Sequence, residues 1–201
     1  EKVELFHGAV SDNSSMIPVT AASVFEQTRV DDRLLLNDGR VVLKIIEKGS
    51  EKMVAEVLRN GPLSSGKGLN SPDRVFELAR VTENDRRAIA ISRAIDNVAY
   101  AVSFVADGRE SELFRSLTVD APLIAKIERR HAMQNLEEID KKFAGLWFCR
   151  GDLGAEAGLK ELGRLQREFV EILPCLRNQA LIAGEVLGSM ISASLPSRAE
   201  I

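Results

Sequence analysis

Short apolar runs broken by turn residues fill the first 70 positions, alternating rather than repeating at helical spacing. Leu34-Leu35-Leu36 and Val41-Val42-Leu43-Lys44-Ile45-Ile46 flank Asn37-Asp38-Gly39-Arg40, and an Asp-Gly pair between two such runs predicts a hairpin. A second hairpin follows. Its outgoing arm, Met53-Val54-Ala55-Glu56-Val57-Leu58, has the two-residue period of a half-buried strand and stops at Asn60-Gly61-Pro62. The chain opens inside such a pattern, since Glu1-Lys2-Val3-Glu4-Leu5-Phe6 has the character of mid-strand, so an internal piece of a longer protein is expected. Small residues from Ser64 to Pro72 predict a linker. Residues 1–66 are thus expected to form a β-rich domain that is incomplete at its start, with 67–73 as the linker.

From 74 to 201 the period changes. Thr82 ahead of Glu83-Asn84-Asp85 predicts a capped helix running to about Ala94. The runs Val98–Phe104, Leu123–Glu128, Leu146–Cys149 and Ala180–Ala183 are too short for buried helices. Between them, Arg109–Leu117, Leu136–Phe143 and Leu159–Leu173 place apolar residues three and four apart, as helices on one sheet face do. The expectation is an α/β arrangement of four βα units with parallel strands. Periodicity alone leaves open whether these form a small open sheet or half of an eight-stranded barrel.

Composition narrows the function classes. With 45% hydrophobic and 28% charged residues and a net charge of -3, the chain resembles an ordinary globular protein. It has no basic surplus, and its aromatic residues are scattered, which argues against nucleic acid as a partner. Cys149 and Cys175 lack metal-ligand spacing and sit in apolar runs, pointing to a reducing, cytoplasmic setting. No run approaches the ~18 apolar residues of a membrane span, so no membrane partner is expected. His7 and His131 are expected to be exposed loop residues, Trp147 and Cys149 core filler, and Arg86-Arg87 and Lys141-Lys142 solvated helix faces.

Chemistry concentrates where strands end. Lys126, Glu128, Arg150 and Asp152 fall at the carboxyl ends of their strands, the edge where both barrels and open α/β sheets keep their sites. Lys126 and Glu128 flank Ile127 and share one face, because strand side chains alternate. Two carboxylates on neighbouring strands with a lysine between them suit Mg2+ or Mn2+, which binds one or two protein carboxylates and leaves positions for substrate oxygens. The same charges equally suit a ring of mutual ion pairs. Gly151 and Gly154 favour a ligand, since glycines let backbone N–H groups approach an anion.

At these residues the sequence resembles the pyruvate kinase family. Leu36-Asn37-Asp38-Gly39 is similar to that family's lid-domain turn, and Gly66-Lys67-Gly68-Leu69-Asn70-Ser71-Pro72 to its linker. Ser103-Phe104-Val105, Ala125-Lys126-Ile127-Glu128, Arg150-Gly151-Asp152-Leu153-Gly154, Gly188-Ser189-Met190 and Pro196-Ser197-Arg198-Ala199-Glu200 follow in the family's order across almost the whole chain. The resemblance implies a portion of a (β/α)8 TIM-type barrel over 74–201, preceded by a small all-β lid domain. It implies phosphoryl transfer between phosphoenolpyruvate and ADP, giving pyruvate and ATP. In that scheme Glu128 and Asp152 hold Mg2+ or Mn2+, and Lys126 is the catalytic residue that stabilises the phosphoryl group in flight. Substrate binding falls to Lys126, Gly151, Asp152 and position 184, and Lys67 reaches nucleotide phosphates. The family also uses K+, with its site expected outside this chain, and a homo-oligomer or completion by further segments is implied.

Three positions depart from the family pattern. Gly184 stands where the family has a threonine whose hydroxyl meets the substrate, Arg129 where it has an asparagine, and Asp73 where its linker has a glycine. The missing hydroxyl motivates an alternative: a catalytically impaired module that binds a metal with a small oxoacid, or a partner protein. Aldol cleavage of oxoacids on the same lysine and carboxylates is a third chemistry.

Overall fold

The computed structural model describes every residue except 14, 75, 77–80, 185, 198, 199 and 201, with residue 159 described by its backbone alone. It divides into two compact units, Glu1–Arg80 and Val81–Ile201.

The first unit is built on β1 (Lys2–His7), β2 (Met16–Val19), α1 (Ala22–Gln27), β3 (Arg33–Leu36), β4 (Val41–Lys48), β5 (Lys52–Arg59) and β6 (Leu69–Asn70). These strands form one sheet in the order β2-β1-β5-β4-β3-β6, antiparallel except for the parallel pair β1 and β2. Alternation decides which face is buried: Val41, Leu43 and Ile45 of β4 turn inward with Met53 and Ala55 of β5, against Val24 and Phe25 of α1. The expected hairpin joins β3 to β4, pairing Leu36 with Val41. Its turn needs three successive left-handed residues, Asn37 (φ 51), Asp38 (φ 56) and Gly39 (φ 77), the residue types that tolerate that region best. Buried Asn37 also ties the turn to the loop after β5, its Nδ2 donating to the Pro62 carbonyl at 2.7 Å.

The segment expected to be a linker, 67–73, is partly ordered into this sheet. Leu69–Asn70 pairs with β3 as β6. Asp73 accepts three hydrogen bonds from Arg33, at 2.8 Å from the backbone N–H and at 2.9 and 2.7 Å from the guanidinium. Beside it Arg74 grips Asp32 through Nε at 2.8 Å and an Nη at 3.1 Å. Two adjacent residues on each segment are therefore cross-paired by charge, and the compact unit extends to Arg80.

The second unit opens with α2 (Glu83–Ser92), capped as expected: the Thr82 side chain accepts from the Asp85 N–H while the Asp85 carboxylate accepts from the Thr82 N–H. Then follow β7 (Tyr100–Val102), α3 (Glu110–Thr118), β8 (Leu123–Ile127), α4 (Arg130–Gln134), α5 (Leu136–Lys142), β9 (Gly145–Cys149), α6 (Arg150–Ala157), α7 (Leu159–Ile172) and β10 (Gln179–Ala183). Single turns of 3-10 helix lie at Leu173–Cys175 and Gly188–Ile191. All four strands are parallel in the order β10-β9-β8-β7, consecutive βα units making a portion of a barrel. Leu123, Ala125 and Ile127 of β8 and Leu146 and Phe148 of β9 are buried against Ile139, Phe143, Leu153, Leu165 and Phe169 of the helical layer. The rings of Phe148 and Phe169 meet at 4.8 Å between centroids. The opposite strand face is left to Lys126, Trp147 and the site.

Two short helices were absent from the sequence expectation. α4 takes up Arg130 and His131, so His131 is exposed on a helix rather than in a loop. α6 begins directly after β9 and takes up Arg150 and Asp152, which the apolar pattern placed at the strand end. Asp152 in its first turn opposes the positive end of the helix dipole, and Leu153 one position on is fully buried, drawing the turn inward. Glu185, Arg198 and Ala199 lie outside the described residues, the last two within the Pro196-Ser197-Arg198-Ala199-Glu200 motif. Among the described residues, no helix is long and apolar enough to cross a membrane.

Candidate active site

The site forms where β7, β8 and β9 end. Lys126 is the fourth residue of β8 and lies partly open on the face opposite the helices. Glu128, the residue after β8, shares that face but is 1% exposed. The Lys126 ammonium is in ion-pair contact with Glu128 Oε1 and donates to Ser103 Oγ at 3.3 Å. Burial works against the lysine's charge, yet contact with the Glu128 carboxylate and the nearby Asp152 outweighs it and raises the Lys126 pKa above its ordinary value.

Glu128 is fixed from the preceding strand. Its Oε2 accepts the Phe104 N–H at 2.8 Å, and Phe104 holds a left-handed backbone at φ 56 to present that N–H. Oε1 is buried, with the Lys126 ammonium in ion-pair contact and no further hydrogen-bond partner among the described residues. A carboxylate oxygen can take more than one partner, and a hard cation is a natural one for it. Asp152 enters from the first turn of α6 on the neighbouring strand-helix unit, and its charge acts on Lys126 together with that of Glu128. Among the described residues no three His, Cys, Asp or Glu side chains gather as a metal cluster. A two-carboxylate donor set is what Mg2+ accepts when substrate and water complete its shell, so the residues present fit the ion.

The amino end of α6 forms the other wall. Gly184 follows β10 in a left-handed conformation, φ 93, and a Cβ on it would stand 3.8 Å from the Gly151 nitrogen and 3.9 Å from the Arg150 nitrogen. Its carbonyl accepts from the Arg150 guanidinium, from Nε at 2.9 Å and from an Nη. Arg150 is therefore occupied by a backbone carbonyl across 34 residues. First-turn amides at a helix amino end favour an anion, and Gly184 brings no side chain of its own to the space beside them.

Cys149 closes β9 beside these groups. Burial, reinforced by the negative charge of Glu128, pushes its thiol up to about 12, so it remains a protonated, unreactive wall, as the apolar pattern implied. Cys175 is a free, exposed cysteine.

Lys126, Glu128, Gly151, Asp152 and Gly184 are thus brought to one edge of the second unit. Lys67 belongs to the first unit, exposed in the loop before β6. Sequence reasoning assigned no role to Ser103 and Phe104, although they stand in a family-like triplet, or to Arg129, whose guanidinium lies over the Phe104 ring at 5.2 Å from its centroid. Their signal was proximity to the motifs, and the contacts themselves join segments more than twenty residues apart in sequence.

Comparison with known proteins agrees with this architecture. The family model for the pyruvate kinase barrel domain matches residues 5–201. A pyruvate kinase of Thermotoga maritima is 30% identical over 193 residues, covering 94% of this chain and 41% of that protein. One from Agrobacterium vitis is 34% identical over 185 residues, covering 92% and 38%. One from Corynebacterium glutamicum is 28% identical over 204 residues, covering 100% and 43%. The chain spans about two-fifths of the length of these relatives. Parallel βα units with a lysine and two carboxylates at their carboxyl ends, and a family match over nearly all residues, place this chain in the pyruvate kinase family.

Proposed function

We propose that the protein containing this chain transfers a phosphoryl group from phosphoenolpyruvate to ADP, yielding pyruvate and ATP, with the second unit supplying the phosphoenolpyruvate site. The observation that carries the reading is Glu128: a buried carboxylate with one oxygen held by a backbone N–H and the other in contact with a lysine ammonium, with no further hydrogen-bond partner among the described residues. Glu128 and Asp152 would hold Mg2+ or Mn2+, and the bound ion would neutralise charge on substrate oxygens. Lys126 stabilises the negative oxygens of the phosphoryl group as it leaves, a role for a fixed positive charge that forms no covalent bond. Backbone N–H groups of Gly151 and Asp152 at the start of α6 hold the substrate carboxylate, with Gly184 alongside. Lys67, exposed on the β-rich unit, meets nucleotide phosphates as a point charge. The β-rich unit acts as the lid, and a K+ ion and a homo-oligomeric assembly belong to the same proposal, as does a cytoplasmic setting.

The test is a coupled assay for ATP formation, run with Glu128→Ala and Lys126→Met beside the parent. Glu128→Ala is expected to lose Mg2+-dependent substrate binding. Retained binding in that variant would defeat the reading.

One observation favours a second reading, an impaired module that binds an oxoacid without turnover. Gly184 not only lacks the family's hydroxyl but holds a backbone conformation disfavoured for threonine, its carbonyl engaged by Arg150. This reading expects metal-dependent binding of oxalate with no ATP formed, and measurable ATP formation would remove it.

A further inference from the structure

Arg129 follows the metal-binding carboxylate directly, and no role in the proposed chemistry falls to it. Its guanidinium is half-buried, 5.2 Å from the centroid of the Phe104 ring, with the charges of Glu156, Glu110 and Glu128 acting on it. Burial lowers its pKa, but a guanidinium stays a cation at neutral pH. A cation over an aromatic face is attracted to it, most strongly where water is partly excluded.

Phe104 is under strain. A bulky residue at φ 56 is uncommon, and such conformations persist only where the surroundings over-determine them. Two contacts do so here: the Phe104 N–H donates to Glu128 Oε2 at 2.8 Å, and the Phe104 ring lies under Arg129. Arg129, Phe104 and Glu128 thus close a small loop of contacts, with Arg129 covalently joined to Glu128 at one end and pressing on its hydrogen-bond donor at the other.

We propose that Arg129 is a positioning residue: by clamping the Phe104 ring it holds the left-handed turn whose amide aims the Glu128 carboxylate at the cation. This rests on Glu128 being a metal ligand, as proposed above. Groups that orient a ligating side chain from behind typically change metal affinity by about 10- to 100-fold when removed.

The sign of the effect separates this role from simple electrostatics. A positive charge beside a cation site repels the ion, so neutralising Arg129 would tighten metal binding if charge were its only contribution. Positioning demands the reverse. The experiment is a titration of the purified protein with Mn2+, following the free ion by electron paramagnetic resonance well below the thermal transition of each variant. Arg129→Met, which keeps the apolar stem, is expected to weaken Mn2+ binding about tenfold. Arg129→Lys, which keeps a cation above the ring, is expected to stay within about threefold of the parent. Phe104→Leu should weaken binding as Arg129→Met does, and the double variant should be no weaker than either single one, because both break the same contact. Unchanged or tighter binding in Arg129→Met, or additive losses in the double variant, overturns the proposal. A lowered melting temperature with unaltered Mn2+ affinity overturns it as well, since that is what a merely structural residue would give. Glu128→Gln is titrated in parallel. If it loses Mn2+ while Arg129→Met does not, positioning alone is wrong; if it binds Mn2+ like the parent, the metal reading itself falls.

Discussion

Two glycines exposed to the same substitution are expected to respond with opposite sign. Gly184 sits at φ 93, and although an added Cβ would meet only ordinary contacts, at 3.8 and 3.9 Å, the backbone is one that L-residues avoid. Gly184→Ala should therefore destabilise the second unit by about 1–2 kcal/mol, the cost of left-handed backbone for a residue with a Cβ. Gly184→Thr should lie at or above the upper end, because a β-branched residue is an outlier there. Relaxing the strain would turn the carbonyl away from Arg150, whose Nε it accepts at 2.9 Å. Gly163 is the counterpart: it is exposed within α7, and an added methyl would have nothing within 4 Å of it. Gly163→Ala should stabilise by about 0.5–1 kcal/mol, since alanine loses less entropy in a helix interior. Urea unfolding at pH 7 measures both, followed by the fluorescence of Trp147, the single tryptophan, which lies in β9 of this unit. A shift in midpoint at constant slope reports stability. If Gly184→Ala stabilised the unit as Gly163→Ala does, the left-handed conformation would be wrong, and with it the argument that restoring the threonine disturbs the site.

Phe148→Ala removes a fully buried ring in tilted contact with Phe169 and should destabilise the same unit by about 3–5 kcal/mol in the same fluorescence assay. Hydrogen bonding by Arg33 holds the Asp73 carboxyl below its ordinary range. A depressed carboxylate stabilises fully above pH ~4 and loses that contribution as pH falls through its lowered folded value. Hydrogen exchange at the Arg33 amide, which donates to Asp73, should thus be faster in Asp73→Asn by the equivalent of about 1 kcal/mol at pH 7, screening included, with the difference vanishing in acid; an equal difference at both pH values would count against the pairing. With Cys149 buried and pushed up to about 12, and Cys175 exposed, iodoacetamide at pH 8 should label Cys175 in the native protein and Cys149 only after unfolding. Mass spectrometry of the digested protein reads this directly, and rapid native labelling of Cys149 would refute the burial.

Much of the architecture was legible because burial imposes a period on the residues that suffer it. The runs around Ala101, Ala125, Phe148 and Ile182 became four parallel strands within a few residues of their expected limits, Asn37-Asp38-Gly39 became a left-handed turn, and Thr82 with Asp85 became a capping box. Each is a local property, decided by alternation or by which side chains tolerate a given backbone. Lys126 and Glu128 were placed on one face for the same reason, by a spacing of two along a strand.

What the sequence did not reveal lies in contacts between distant segments. α6 starts without a break at the end of β9, so Arg150 and Asp152 are helical rather than strand-end residues. Linker-like small residues hid β6 and the Arg33–Asp73 pair, because their order comes from a strand more than thirty residues earlier. By itself the sequence determined the periodic elements, the family and the identity of the candidate ligands. The tertiary structure alone decided that Phe104 donates to Glu128, that Arg129 covers Phe104, and that the Gly184 carbonyl engages Arg150. Periodicity records whether a side chain is buried, whereas the partner it meets is chosen by how strands and helices pack across the chain.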